Sequence, residues 1–234
     1  MILNMRLLLI SSSMVHGYGY LDHAESEIRT FLGSAKRVAF LPFAIADRDG
    51  YTAKVRDRLA RMGYAVTQVR GAADLAADAI FVGGGNTFRL LKAIYDLKLM
   101  DAIRQRVKAG TLYMGSSAGS VITAPTIRTT NDMPIVEPPS LDALHFVPYQ
   151  INGHYIDADP NSTHQGETRE LRLAEYLEEN TAPVIGIREG TMLRVDDDVT
   201  TVKGTKPGKI FRRGEEPVNV EPGTRLTVDL RTKS

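Results

Sequence analysis

The 234-residue sequence predicts a three-layer α/β fold: a mostly parallel sheet with helices on both faces, followed by antiparallel strands toward the C-terminus. Three observations carry this. Apolar strand-like runs alternate with helical patterns as far as Met114, the mark of a parallel sheet wound by helices. Glycine- and serine-rich loops, Gly83 to Asn86 and Gly115 to Gly119, follow two of those runs, where open α/β sheets bind ligands. Beyond Ala182 the pattern is strands alone.

In order, Leu7 to Ile10 is a strand and Leu21 to Leu32 a helix, with acids early and Arg29 late to suit its dipole. Arg37 to Phe43 is a buried strand closed by Pro42, Tyr51 to Met62 an amphipathic helix stopped before Gly63, and Tyr64 to Val69 a strand. Ala79 to Val82 is a strand, Thr87 to Tyr95 and Met100 to Lys108 are helices, and Leu112 to Met114 is the fifth strand. Periodicity fades from Pro125 to Asn161, a Pro-, Asn- and Asp-rich length more often functional than idle. Gly166 to Glu178 is helical. Val184 to Ile187, Met192 to Val195, Val199 to Val202, Lys209 to Phe211, Pro217 to Val220 and Arg225 to Val228 read as an antiparallel meander. The expected organisation is one domain over residues 1–234, with 197–234 its C-terminal β extension.

Composition narrows the function. A net charge of +1 gives no electrostatic case for nucleic acid or an anionic membrane. Zero cysteines exclude disulfides, thiolate metal sites and a thiol nucleophile. No apolar run approaches the roughly 20 residues that span a bilayer. The apolar start, Met1 to Ile10, lacks a basic flank and a cleavage site and reads as a first strand, so the expected location is cytoplasmic.

The chemistry centres on Gly115-Ser116-Ser117-Ala118-Gly119. A strand, a sharp turn and a small-residue helix start place a serine hydroxyl outside the backbone, with the next N–H free to stabilise an oxyanion. The pattern also fits an ordinary loop. A serine nucleophile needs a base, and the base an orienting acid. Of His16, His23, His145, His154 and His164, His154 stands out because it ends a strand-like stretch between loop-forming neighbours; each also fits a structural or solvated role. Glu189 follows the strand Val184 to Ile187 and is the acid expected beside it, though its position also fits a solvated turn. Asp157 and Asp159 are the next acids to consider. The order serine, histidine, acid excludes the α/β-hydrolase arrangement, in which the acid precedes the histidine. Gly83-Gly84-Gly85 lets backbone N–H groups approach a negative atom, and it lacks the lysine of a phosphate loop. The polar stretch Thr126 to Pro134 fits a substrate-binding loop or an ordinary surface loop. His154, Asp157, Asp159 and His164 match no standard metal spacing, so no metal is expected.

These segments together resemble the peptidase E family, serine dipeptidases that remove N-terminal aspartate and are related to cyanophycinases and to the class I glutamine amidotransferase-like fold. The likeness rests on Phe81 to Phe88, Gly115 to Gly119, Pro125 to Val136, Gln150 to His154 and Gly166 to Arg169, and runs from about Leu7 to about Arg194. It implies Ser117 as nucleophile, His154 as base and Glu189 as orienting acid, with Gly85 and Ala118 as oxyanion donors. It implies Arg169 on the aspartate side chain and Asp132 on the free amine, with Asn86 and Thr130 also at the substrate. An arginine fork suits a carboxylate, and an ammonium group needs an anion. The sequence departs from the family pattern at Ser116, often tryptophan, at Gly153, often proline, and at Arg188, where a neutral residue or proline is usual. The implied activity is hydrolysis of Asp-X dipeptides through an acyl-enzyme, without cofactor, by a monomer or homodimer. The alternatives are a cyanophycinase-like β-aspartyl peptidase and a non-catalytic amino-acid or peptide binder.

Overall fold

The apolar run at the start of the chain forms strand β1 (Arg6–Ile10), whose side chains divide between two cores. Leu7 and Leu9 point into one, Leu8 and Ile10 into the other, and all are fully buried. A strand covered on both faces reads as an unbroken apolar run. The same holds for β2 (Arg37–Leu41), β4 (Ala79–Val82) and β5 (Leu112–Ser116), with β3 (Ala65–Gln68) at the edge. This computed structural model describes residues 5–159, 161, 163, 166–227 and 229–231.

Among the described residues the main sheet has eight strands, in the order β12 (Arg225–Leu226), β9 (Val199–Gly204), β8 (Thr191–Asp196), β1, β5, β4, β2, β3. From β1 to β3 every pairing is parallel. Helices α1 (Glu25–Leu32) and α2 (Arg48–Ala60) cover one face through Ile28, Phe31, Val55 and Leu59. Helices α3 (Thr87–Asp96), α4 (Met100–Lys108) and the short α5 (Ala118–Val121) cover the other. A second sheet, four-stranded among the described residues, in the order β11 (Val218–Val220), β10 (Gly208–Phe211), β7 (Val184–Ile187), β6 (Gln150–Gly153), joins that face through Ile151, Ile185, Ile187 and Ile210. Helix α6 (Arg169–Glu179) packs on this sheet, Leu173 and Leu177 meeting Tyr155, Val184 and Phe211.

Several elements differ from expectation. The first helix begins with a 3-10 turn at Asp22–Ala24. Helix α2 starts before Tyr51, because Asp47 caps it by accepting the Gly50 N–H at 2.9 Å. Strand β6 (Gln150–Gly153) is the strand-like stretch read before His154, set inside the otherwise aperiodic segment. The six C-terminal strands do not form one meander. β7 (Val184–Ile187) pairs in parallel with β6, while β10 (Gly208–Phe211) and β11 (Val218–Val220) complete the small sheet. β8 (Thr191–Asp196), β9 (Val199–Gly204) and β12 (Arg225–Leu226) extend the main sheet antiparallel from β1. Val228, placed in the last strand from sequence, lies outside the described residues.

Candidate active site

At the carboxyl end of β5 the chain reverses through Ser117, whose φ of 52° and ψ of −115° lie where non-glycine residues are strained. The turn is pinned from below. Ser117 N–H donates to the Ile10 carbonyl at 2.9 Å, and Ser120 Oγ donates to the same oxygen at 2.8 Å. A Cβ on Gly119 would run into the Val82 carbonyl, and one on Gly115 into the Gly119 carbonyl. Packing therefore fixes both glycines of the pattern. It also separates the two serines: Ser116 is 0% exposed, whereas Ser117 faces a cleft of about 720 Å³.

His154 follows β6 with φ of 51°. Its Nε2 lies 2.8 Å from Ser117 Oγ, and its Nδ1 lies 3.1 Å from Glu189 Oε1. Glu189 occupies the short link between β7 and β8, followed by Gly190 at φ of 91°. The three side chains sequence reasoning singled out are thus in contact. The other acids are engaged elsewhere. Asp157 receives both Arg188 Nε, at 2.7 Å, and Nη2, at 2.8 Å, and this holds its carboxyl below the usual range. Asp159 accepts the Asn161 N–H at 2.9 Å. Arg188 is thereby turned to Asp157, Asn219 and the Pro207 carbonyl.

The glycine loop lies against the nucleophile: a Cβ on Gly84 would stand 2.9 Å from Ser117 Cβ. Gly84 N–H donates to the Tyr51 hydroxyl at 3.0 Å. Gly85 adopts φ of 133° and approaches the Ala44 carbonyl so closely that a Cβ would stand 2.6 Å from it. Gly85 lines the cleft, and Ala118 opens α5 with an N–H that has no partner within the helix. Tyr20 and Tyr51 also line the cleft; burial raises both phenols, so they stay protonated.

Asp132 is in the cleft, reached by the 126–134 segment. Its Oδ2 accepts the Thr87 N–H at 2.7 Å and the Thr87 hydroxyl at 2.5 Å, with Thr130 Oγ1 at 3.3 Å. Asn86 caps α3 by accepting the Arg89 N–H at 3.0 Å and donates to the Met133 carbonyl at 2.8 Å. Asn86 and Thr130 therefore hold the Asp132 loop to the start of α3. Arg169 is not in this cleft. It lines a separate hollow with Ile156, Asp157, Asp159 and Arg172, where burial and then Arg172 lower its pKa. Of the residues in the metal reading, His154 and Asp157 are committed as described, and His164 lies outside the described residues.

Sequence reasoning missed the supports. Ser11 Oγ accepts the His154 N–H at 3.1 Å and donates to the Ile187 carbonyl at 2.7 Å. Buried Asn152 donates to the Thr129 carbonyl at 2.8 Å and to Asn131 Oδ1 at 3.0 Å, and Asn131 donates to the Gly153 carbonyl at 2.7 Å. These tie the Asp132 loop to the strand that ends at His154. The available signals were polar residues abutting buried strands: Ser11 directly after Ile10, and Asn152 inside β6.

Among the described residues, no helix is long and apolar enough to cross a membrane. In comparison with known proteins, peptidase E of Streptomyces coelicolor is 53% identical over 228 residues, covering 95% of this chain and 94% of that one. The probable alpha-aspartyl dipeptidase of Drosophila melanogaster is 44% identical over 229 residues, covering 94% and 95%. The fold is shared with the crystal structure of a putative peptidase E protein from Listeria monocytogenes, at a TM-score of 0.66 and 24% identity, covering 86% of this chain and 99% of that one. Residues 7–203 match Peptidase family S51, and the chain belongs to that family.

Proposed function

We propose that this chain is a serine peptidase that hydrolyses dipeptides with an N-terminal aspartate, with Ser117 as nucleophile, His154 as base and Glu189 as orienting acid. The observation that carries the reading is the continuous relay from Ser117 Oγ to His154 Nε2, at 2.8 Å, and from His154 Nδ1 to Glu189 Oε1, at 3.1 Å. His154 takes the Ser117 proton as Oγ attacks the scissile carbonyl, and Glu189 steadies the imidazolium. The N–H groups of Gly85 and Ala118 receive the oxyanion. The imidazolium then protonates the departing amine. Water, activated by the same histidine, hydrolyses the aspartyl ester and frees Ser117.

Selection for N-terminal aspartate follows from charge. The substrate ammonium meets Asp132, whose Oδ2 alone carries the Thr87 and Thr130 contacts. The family pattern assigns the aspartate side chain to Arg169, which begins α6; its guanidinium lines the hollow beyond Ile156, outside the cleft of Ser117, so this role requires the side chain to leave that hollow when Asp-X binds. Relatives named peptidase E and alpha-aspartyl dipeptidase support this assignment. The test is hydrolysis of Asp-Leu by wild type and Ser117→Ala. Loss of turnover with an unchanged melting temperature is expected, and equal activity in the two would remove Ser117 from the mechanism. Arg169→Ala should erode the preference for Asp-Leu over Asn-Leu.

A further inference from the structure

We propose that Lys54 binds the C-terminal carboxylate of the dipeptide and so makes the enzyme prefer free dipeptides over amidated or longer peptides. The inference rests on the dipeptidase reading above, with Ser117 as nucleophile and Asp132 at the ammonium. Lys54 lines the cleft of Ser117, His154 and Glu189, and no other lysine or arginine lines it among the described residues. Asp47, Asp132 and Glu189 share the cleft, and none pairs with Lys54: Asp47 caps α2, Asp132 is anchored to Thr87 through Oδ2, and Glu189 meets His154. No carboxylate of the described residues lies within ion-pair distance of the Lys54 ammonium. Instead its Nζ stands 4.4 Å from the centre of the Tyr20 ring. That ring is held in turn, because Arg58 Nε donates to the Tyr20 carbonyl at 2.8 Å while Nη2 of the same arginine pairs with Asp22 and Glu25. An aromatic face orients an ammonium without pairing with it, so no ion pair of the described residues competes with a ligand for Lys54.

Its position selects which carboxylate. Lys54 projects from α2, which covers the sheet face shared with α1. Asp132 is fastened to Thr87, at the start of α3 on the opposite face. Ser117 leaves the tip of β5 between them. A dipeptide carries its ammonium and its α-carboxylate on opposite sides of the scissile carbonyl, two extended residues spanning about 7 Å. With the ammonium at Asp132, the group delivered to the α2 wall is the C-terminal carboxylate. The aspartate side chain branches from the first residue and stays on the Asp132 side. An amidated or longer peptide presents a neutral amide at Lys54 and gains nothing from the charge.

The test compares kcat/KM for Asp-Leu and for Asp-Leu amide in wild type, Lys54→Met and Lys54→Arg. The expected result is a wild-type preference for the free acid of about tenfold, the size of one exposed charge-assisted contact. That ratio falls toward one in Lys54→Met, mainly through KM, recovers in Lys54→Arg, and shrinks with added salt. Equal slowing of both peptides by Lys54→Met, or an unchanged ratio, would overturn the proposal. So would a change confined to the ratio of Asp-Leu to Asn-Leu, which would assign Lys54 to the aspartate side chain. If wild type turns over neither peptide, the dipeptidase reading falls first and this inference with it.

Discussion

Glu189→Gln isolates how much a half-exposed acid adds to this relay. The substitution keeps the side-chain shape, and the amide oxygen can still accept from His154 Nδ1, so what disappears is the charge facing the imidazolium. At the 3.1 Å separation of Nδ1 and Oε1, a unit charge pair is worth about 5 kcal/mol at an effective dielectric of about 20 and about 1.3 kcal/mol in bulk water. The His154 and Glu189 side chains are 40% and 51% exposed, which places the pair toward the watery end. About 2 kcal/mol of transition-state stabilisation is then at stake, or about a 30-fold loss in kcat. A buried triad acid is worth far more, about 10⁴ in kcat, because the wrong histidine tautomer is then locked in place. The assay is steady-state hydrolysis of Asp-Leu, with thermal melting to show that the variant is folded. A loss near 10⁴ would refute the argument from exposure, since the pair would have to be dry in the working enzyme. A loss below about threefold, well short of the about 1.3 kcal/mol expected even in water, would refute the coupling of Glu189 to His154.

Gly119→Ala should lower stability by about 1–3 kcal/mol, because the new methyl overlaps the Val82 carbonyl in a fully packed place; the melting temperature should drop about 2–4 °C per kcal/mol. Tyr51→Phe leaves the Gly84 N–H without its acceptor, at a cost of about 1–3 kcal/mol, and loosens the loop that bears Gly85; kcat should fall more than KM rises in the same Asp-Leu assay. His23 shapes the acid limb of stability. Burial lowers its pKa from 6.5, against the opposing pull of the Ser12 backbone, Asp22 and Glu189. The unfolded chain therefore binds the proton first as pH falls through 6.5, and stability declines from there down to the folded pKa, while above 6.5 the group has no effect. Urea unfolding of His23→Gln should show a smaller loss between pH 7.5 and pH 5.5 than wild type.

What was legible in the sequence was what local sterics and two-sided burial write into it. Leu7 to Ile10, Ala79 to Val82 and Leu112 to Met114 read as strands because both of their faces are covered. Ser117 read as an elbow because Gly115 and Gly119 can carry no Cβ there. The placement of the C-terminal strands was hidden for the opposite reason. β8 and β10 have similar apolar content, and nothing local says that one pairs with β1 and the other with β7. The early start of α2 was hidden because Arg48, Asp49 and Gly50 have no apolar face, and the decisive signal was the Asp47 cap. Arg169 followed the family pattern in sequence, yet its side chain lines the hollow beyond Ile156 rather than the cleft.

The deeper reason the site resists reading from one segment is that it is built at the seam of two sheets. Ser117 belongs to the main sheet, His154 to the end of the small one, and Glu189 to the link by which the chain passes from β7 to β8. Relay distances near 3 Å require the two sheets to keep a fixed register, although among the described residues no strand pairing joins them. Ser11 supplies that register. Its N–H donates to the Thr191 carbonyl at 3.1 Å and its hydroxyl to the Ile187 carbonyl at 2.7 Å, so it grips the Glu189 link on both sides. The same hydroxyl accepts the His154 N–H at 3.1 Å. One residue earlier, the Ile10 carbonyl receives Ser117 N–H and Ser120 Oγ. The end of β1 thus touches the backbone of the nucleophile, the base and both flanks of the acid. A buried hydroxyl with both partners satisfied adds little net stability, but here its bonds fix the separation of reacting groups, where a shift of about 1 Å can cost about 10² in rate.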